Sequence, residues 1–196
     1  MQDFTFVYRT DDGAFGAVAG DRKYSPPIEP SGRGLGEMVE NLENPVVLEI
    51  GCDSGETTQF LLESNPNLTI HCVDPYIDFQ DWNGSFVSNR DRVYESVLSR
   101  FAPYGERFNT YRKTSNEALS DFQDDQFDLI FIDGLHTYEQ VLWDCEHYYS
   151  KVKKGGVFAG HDFDAIPDVR RAVEEFAAKV NKVILGTNND VWYWIK

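Results

Sequence analysis

From residue 45 to the carboxyl terminus, short apolar runs of β-forming residues alternate with segments of helical period, and no other feature constrains the fold as much. The strand candidates are "VVLEI" (46–50), "LTIHCV" (68–73), "RFNTYRK" (107–113), "FDLIFI" (127–132), "GVFAG" (156–160), "KVILGT" (182–187) and "VWYWI" (191–195). Strands separated by helices imply a parallel sheet covered by those helices. Over 137–149, Tyr138, Val141, Leu142, Cys145, Tyr148 and Tyr149 recur at helical spacing, and Thr137 followed by Gln140 predicts a capping box. A second helix is expected after Pro167, with Val169, Ala172, Val173, Phe176, Ala177 and Val180 on one face. The last two strands are joined only by "NND", too short for a crossover, so they must pair as an antiparallel hairpin and make the sheet mixed.

A chain of 196 residues with 41% apolar and 26% charged residues has the size and composition of one globular domain. Its 18 basic and 33 acidic residues give a net charge of -15, and the densest basic run is only "KVKK" at 151–154. Nucleic acid and anionic membrane are therefore poor partners, and a small molecule is the expected one. Cys52, Cys72 and Cys145 are odd in number and lack CxxC spacing, which argues against a disulfide framework or structural zinc and for a reducing cytoplasm. The start "MQDFTFVYRTDDG" has no leader pattern, and no run approaches the ~18 apolar residues of a membrane span, so a soluble, unexported protein is expected.

Two regions break the alternation. Residues 1–30, with Gly13, Gly16, Gly20 and "YSPPIEP", are expected to wrap the surface. Within a 1–44 lid or helical extension of the single domain, Arg22, Lys23 and Tyr24 are read as a lid or homodimer contact. Residues 75–106 form a long excursion between strands, irregular through "PYIDFQDWNGSF" before a helix in 89–101, and long loops in compact domains are commonly functional.

The first strand runs into "EIGCDSGETT", residues 49–58, where Gly51 and Gly55 let the backbone approach a ligand at a strand-to-helix turn. A dinucleotide fingerprint would need glycines where Asp53 and Glu56 stand. Glu49, Asp53 and Glu56 disfavour pyrophosphate and suit a ligand with a cationic end. The second strand ends on Asp74, where a carboxylate can take both hydroxyls of a ribose. An adenosine ligand bearing positive charge answers both requirements, and S-adenosylmethionine is such a molecule.

On these residues the chain resembles the class I S-adenosylmethionine-dependent methyltransferases over 45–196. The resemblance implies a Rossmann-like α/β fold whose seven-stranded mixed sheet has the order 3-2-1-4-5-7-6, with strand seven antiparallel and helices on both faces. It implies Glu49, Gly51, Ser54 and Gly55 along the methionine part, with Asp133 beside them. Asp74 would hold the ribose with Tyr76 packed near it, and "TSNE" from Thr114 and Ser115 would meet the adenine edge.

In that fold strands one, four and five are neighbours, about 4.8 Å apart, so Asp133 after strand four converges with His161 and Asp162 after strand five. Two carboxylates and an imidazole have metal-ligand composition. The stretch "FIDGLHTYEQVLWDCEHYYSKVKKGGVFAGHDF", 131–163, resembles the branch holding macrolide-sugar and aminocoumarin-sugar O-methyltransferases and, more distantly, the catechol O-methyltransferase type. That resemblance implies a magnesium ion held by Asp133 and Asp162. His161 departs from the acid found there in the relatives, which points to a softer divalent cation or to none.

His136 is the candidate base, since histidine titrates near neutral pH. The blander readings are a helix-start residue for His136, a hydrogen-bonded support of Asp162 for His161 and a turn residue for Asp133. His71, His147, Asp53 and Asp78 read as structural or solvated. Phe79, Trp82 and Phe86 are either an apolar wall over the acceptor or a satellite cluster under a loop. Residues and resemblance together imply an S-adenosylmethionine-dependent O-methyltransferase for a small, sugar-like acceptor, with Mg2+ or another divalent cation as the assisting ion the resemblance suggests. The alternatives are a metal-independent N- or carboxyl-methyltransferase, a non-catalytic cofactor-binding module and a nucleotide-binding oxidoreductase.

Overall fold

The computed structural model describes residues 6–9, 15–18, 31–80, 83–186 and 190–196, with side chains from residue 34 onward. Strands β1 (Phe6–Arg9) and β2 (Phe15–Val18) precede helix α1 (Ser31–Val39). There follow β3 (Val46–Ile50), α2 (Glu56–Ser64), β4 (Thr69–Val73), the short β5 (Phe79–Gln80) and β6 (Phe86–Val87), α3 (Arg90–Phe101) and β7 (Phe108–Tyr111). The chain ends with α4 (Ser115–Ala118), β8 (Phe127–Ile132), α5 (Tyr138–Tyr148), β9 (Val152–Gly160), α6 (Pro167–Lys179), β10 (Leu185–Gly186) and β11 (Trp192–Ile195).

The main sheet runs β2-β1-β10-β11-β9-β8-β3-β4-β7. From β7 to β10 this is the expected 3-2-1-4-5-7-6 order, with β11 antiparallel to both β9 and β10. The five strands β3, β4, β7, β8 and β9 pair in parallel, and side chains cover both of their faces. One layer joins Leu48, Ile50 and Ile130 to α5 and α6 through Val141, Tyr148, Val173 and Phe176. The other joins Val47, Leu129 and Phe131 to α1, α2 and α3 through Leu35, Leu61 and Phe101. Strands so sandwiched must be apolar throughout, which is why they read as continuous runs.

Three expectations are corrected. The described parts of residues 1–30 do not wrap the surface; β1 pairs with β10 and β2 with β1, extending the seven strands to nine. Such pairing covers the backbone groups of an edge strand that is itself only two residues long. Strand β9 starts at Val152 rather than 156, because Gly155 (φ +81°) and Gly156 let it bulge between its pairings with Phe127 and Leu129. The capping box on α5 is only half formed: Thr137 accepts from the Gln140 N–H, while the Gln140 side chain turns to other partners. The full capping box stands instead on α4, between Thr114 and Glu117.

Gly13, Gly20, "YSPPIEP", Arg22, Lys23, Tyr24 and Trp82 lie outside the described residues, as does most of the final turn. Cys52, Cys72 and Cys145 are buried and form no disulfide. Among the described residues no helix is long and apolar enough to cross a membrane.

Candidate active site

The chain leaves β3 for β4 on one side and returns to β8 on the other, so a crevice opens where the sheet order reverses. It is a cavity of about 570 Å³ whose lining includes Glu49, Gly51, Asp53, Ser54, Asp74, Thr114, Ser115, Asp133 and His136. Gly51 has φ +89°, donates its N–H to the Val73 carbonyl at 2.8 Å, and would bring a Cβ within 1.9 Å of the Asp133 carbonyl oxygen. The turn after β3 and the loop after β8 thus touch backbone to backbone, and only glycine fits between them. Gly55 does not line the cavity; its missing Cβ makes room for the Phe101 ring, 2.4 Å from where that atom would stand.

Asp74 is nearly buried and fully engaged. Its Oδ1 accepts from the Tyr76 N–H at 2.8 Å and its Oδ2 from the Asp53 N–H at 2.9 Å. Tyr76 lies behind the cavity wall, its hydroxyl donating to the Asp53 carbonyl at 3.2 Å. Arg90, from the first turn of α3, bonds Asp53 and stands 3.6 Å from Asp74 Oδ2. Burial pushes the Asp74 carboxyl upward, and the two N–H groups and Arg90 offset this only in part. Glu49 is deeper still, bonded by the Thr58 hydroxyl beside Cys72, and burial raises its carboxyl well above the usual range.

Just past β8 and β9 two imidazoles and two carboxylates meet. His136 Nε2 is 3.0 Å from Asp162 Oδ2 and 3.5 Å from Asp133 Oδ1. His161 Nδ1 is 3.3 Å from Asp162 Oδ1 and 3.9 Å from Asp133 Oδ1. The ligand atoms of Asp133, His136 and Asp162 lie within 4.8 Å of one another, a grouping that includes His136 and leaves His161 beside it. Backbone ladders continued past the strands hold these loops: Asp133 N–H donates to the Ile50 carbonyl at 2.7 Å and His161 N–H to that of Ile132 at 3.1 Å. Asp162 itself has φ +59°, a left-handed conformation that Asp tolerates better than most residues.

Burial works to lower both imidazoles, yet the facing carboxylates prevail and raise His136 to about 10 and His161 to about 9. Burial likewise works to raise Asp162, and the two imidazoles hold it well below the ordinary carboxylate range. Near neutral pH His136 therefore carries a proton and must lose it before it can act as a base. A cation seated on the carboxylates would compete with that proton.

The sign of the pH dependence follows. A histidine raised from 6.5 to about 10 contributes stability in full below about pH 6.5 and loses it as pH rises through 10. The denaturation midpoint of chelator-treated protein should fall across that window, and His136→Gln should flatten the fall. An unchanged pH profile in the variant would show that the pairing stabilises nothing.

Of the expected wall, Phe79 lines the cavity together with Val87 and Ile77, whereas Phe86 is 70% exposed and turned away. His71 bonds the Tyr111 hydroxyl at 2.9 Å and His147 stacks on Trp143 with 4.0 Å between ring centroids, and neither lines the cavity. Asp53 is not merely rim, being Arg90's partner. Sequence reasoning missed Arg90, which no local pattern marks, and Asp144, which did leave a signal. Asp144 shares the buried stripe of Val141, Cys145 and Tyr148, an acid at an apolar position.

A family model described as a methyltransferase domain matches residues 48–163, more than half of the chain. The chain belongs to this methyltransferase family. The structure of the O-methyltransferase NovP resembles the methyltransferase with TM-score 0.64 at 19% identity, over 84% of this chain and 77% of that one. The O-methyltransferase from Bacillus cereus in complex with S-adenosylhomocysteine gives 0.59 at 16% identity, over 87% and 84%. Among curated relatives, the uncharacterized protein R132 of Acanthamoeba polyphaga mimivirus is 25% identical over 75% of this chain, and y4gI of Sinorhizobium fredii is 33% identical over 37% of it. The chain spans 65% of the length of the first and 8% of the second.

The cofactor that the class I methyltransferase fold implies, S-adenosylmethionine, fits the residues present. The cavity is lined with carboxylates that suit a cationic ligand, and the bare Cα of Gly51 leaves the backbone open to close approach. If Asp74 holds the ribose, Asp74→Ala should weaken S-adenosylhomocysteine binding at least ~10-fold, the worth of about 1.5–3 kcal/mol for a hydrogen bond to a charged group. Titration calorimetry checks this, and an unchanged affinity would remove Asp74 from the site.

Proposed function

We propose that the protein transfers a methyl group from S-adenosylmethionine to a hydroxyl of a small, sugar-like acceptor, with a divalent cation held by Asp133, Asp162 and a histidine. The observation that carries this reading is the convergence of Asp133, His136 and Asp162, the first two of which line the same cavity as Glu49 and Asp74. The donor set of two carboxylates and imidazole nitrogen fits a divalent ion of the first transition series as well as magnesium. Such a cation, when bound, supplies charge that lowers the pKa of a coordinated hydroxyl.

The chain's own residues do the rest. Gly51 and the Asp133 carbonyl fix the spacing of the two loops, so donor and acceptor meet at a set distance, and positioning is most of what an in-line displacement needs. Ile77, Phe79 and Val87 shield that meeting point from water on one side. With His161 completing the cation's donor set, His136, once deprotonated, is the group placed to take up the hydroxyl proton.

The 3.0 Å bond from His136 to Asp162 favours one competing reading, in which the imidazolium itself fills the cation's place and the enzyme methylates a nitrogen or carboxylate without metal. Assays of sugar-like and amine acceptors with and without a chelator separate the two. Loss of turnover on chelation, restored by a divalent ion, is expected; turnover indifferent to chelation would sink the metal.

A further inference from the structure

Beneath the turn after β3, on the sheet face that α2 covers, two thiols and a carboxyl face one another. Glu49 and Cys72 are register partners on β3 and β4, so their side chains leave the sheet on the same side. Cys52 joins them from the turn, and the ligand atoms of Glu49, Cys52 and Cys72 all lie within 4.8 Å of one another. Helix α2 lays a fourth donor over the group. The Thr58 hydroxyl bonds Glu49 and stands 3.4 Å from Cys52 Sγ and 3.3 Å from Cys72 Sγ.

Cys72 Sγ is 3.7 Å from Glu49 Oε2. Donors held about 2.1–2.3 Å from a tetrahedral ion stand about 3.6 Å from each other, since a tetrahedron's edge is about 1.6 times its radius. The separations of 3.3, 3.4 and 3.7 Å therefore match the spacing of donors around a single four-coordinate ion. All four residues are buried, yet Glu49 and Cys52 also line the cavity, which gives an ion a way in. Thiolates are soft ligands, unlike the carboxylates and imidazoles past β8 and β9, so the two groups suit different metals.

We propose that Glu49, Cys52 and Cys72, with Thr58 as a neutral fourth donor, form a binding site for a soft divalent cation such as Zn2+ or Cd2+, distinct from the Asp133 and Asp162 pair. Binding replaces the two thiol hydrogens with metal–sulfur bonds, and the protons pass to solvent. The ion then ties β4 to the turn after β3 at the cavity wall. Sheet register, rather than CxxC spacing, brings the two cysteines together. The site goes beyond the methyltransferase reading and does not depend on it.

Titration with Cd2+ tests this on reduced, chelator-treated protein, read by the thiolate-to-cadmium charge-transfer band in the ultraviolet. One equivalent should develop the band in the wild type, and a ~100-fold excess of Mg2+ should leave it in place. Cys72→Ala and Cys52→Ala should each weaken Cd2+ binding at least ~10-fold, whereas Cys145→Ala should leave it unchanged. If Cys72→Ala does not fold, Cys52→Ala, at the cavity wall, gives the same readout. No band in the folded wild type, or a band removed by Mg2+, would overturn the proposal. So would a band of undiminished affinity in the folded Cys52 and Cys72 variants, or one that is lost with Cys145 instead.

Discussion

Asparagine in place of Asp133 is expected to cut turnover by about a hundredfold or more while leaving S-adenosylhomocysteine affinity within about threefold, the pattern of an interaction made mainly in the transition state. The substitution keeps shape, so the Asp133 N–H bond to Ile50 and the close pass of its carbonyl by Gly51 survive. What disappears is the negative charge shared by His136 and His161. Without it neither a cation nor an ordered imidazole stays where the acceptor hydroxyl must lose its proton. Steady-state rates, calorimetry and a urea titration on the same preparation separate the effects. A variant that binds no cofactor because it has unfolded would show Asp133 to be a turn residue only.

Among the described glycines, Gly51→Ala should be the most damaging added methyl group. Its Cβ would stand 1.9 Å from a carbonyl oxygen and 2.4 Å from the carbon bearing it, at a φ of +89° that alanine avoids. The obstacle is backbone, tied at 2.7 Å to Ile50, and so has no rotamer to escape into. Overpacking and a left-handed alanine together cost about 2–5 kcal/mol, enough to use up much of a typical domain's stability. A large drop in the urea midpoint is expected, with no S-adenosylhomocysteine binding in whatever fraction folds. Wild-type stability and affinity in this variant would mean that the two loops are not in contact.

These two positions also mark how far the sequence could be read. The glycine after β3, the acid after β4 and the seven-strand order follow from local period, turn chemistry and connection length, which are properties of contiguous residues. Which imidazole comes within ligand distance of both carboxylates together is different. His136 and His161 both sit within a few residues of a strand end, and the choice between them depends on loop conformation, including the left-handed Asp162. The spacing of letters does not carry that information.

The Gln140 side chain shows the same limit, since its pattern fits a capping box and a buried carboxyl one turn later outcompetes the cap. Asp144 could have been found by asking why an acid interrupts an apolar stripe. Arg90 could not, because its partners Asp53 and Asp74 are 37 and 16 residues away in a chain with acids to spare. The pairing of β1 with β10 joins the two ends of the chain, and nothing near either segment announces it.

Arg90 has a thermodynamic consequence for the order of events in the cleft. Its guanidinium is tied to Asp53 in the turn after β3 and stands beside Asp74, while its backbone N–H donates to Asp78, at 3.2 Å, immediately before the strand that carries Phe79. One residue therefore joins the turn after β3 and the end of β4 to the strand that carries Phe79. If a change that cofactor binding makes in the Asp53, Asp74 and Arg90 network reaches Phe79 and Val87 through Asp78, linkage requires the effect to be reciprocal. Whatever factor the first ligand contributes to the affinity of the second, the second returns to the first.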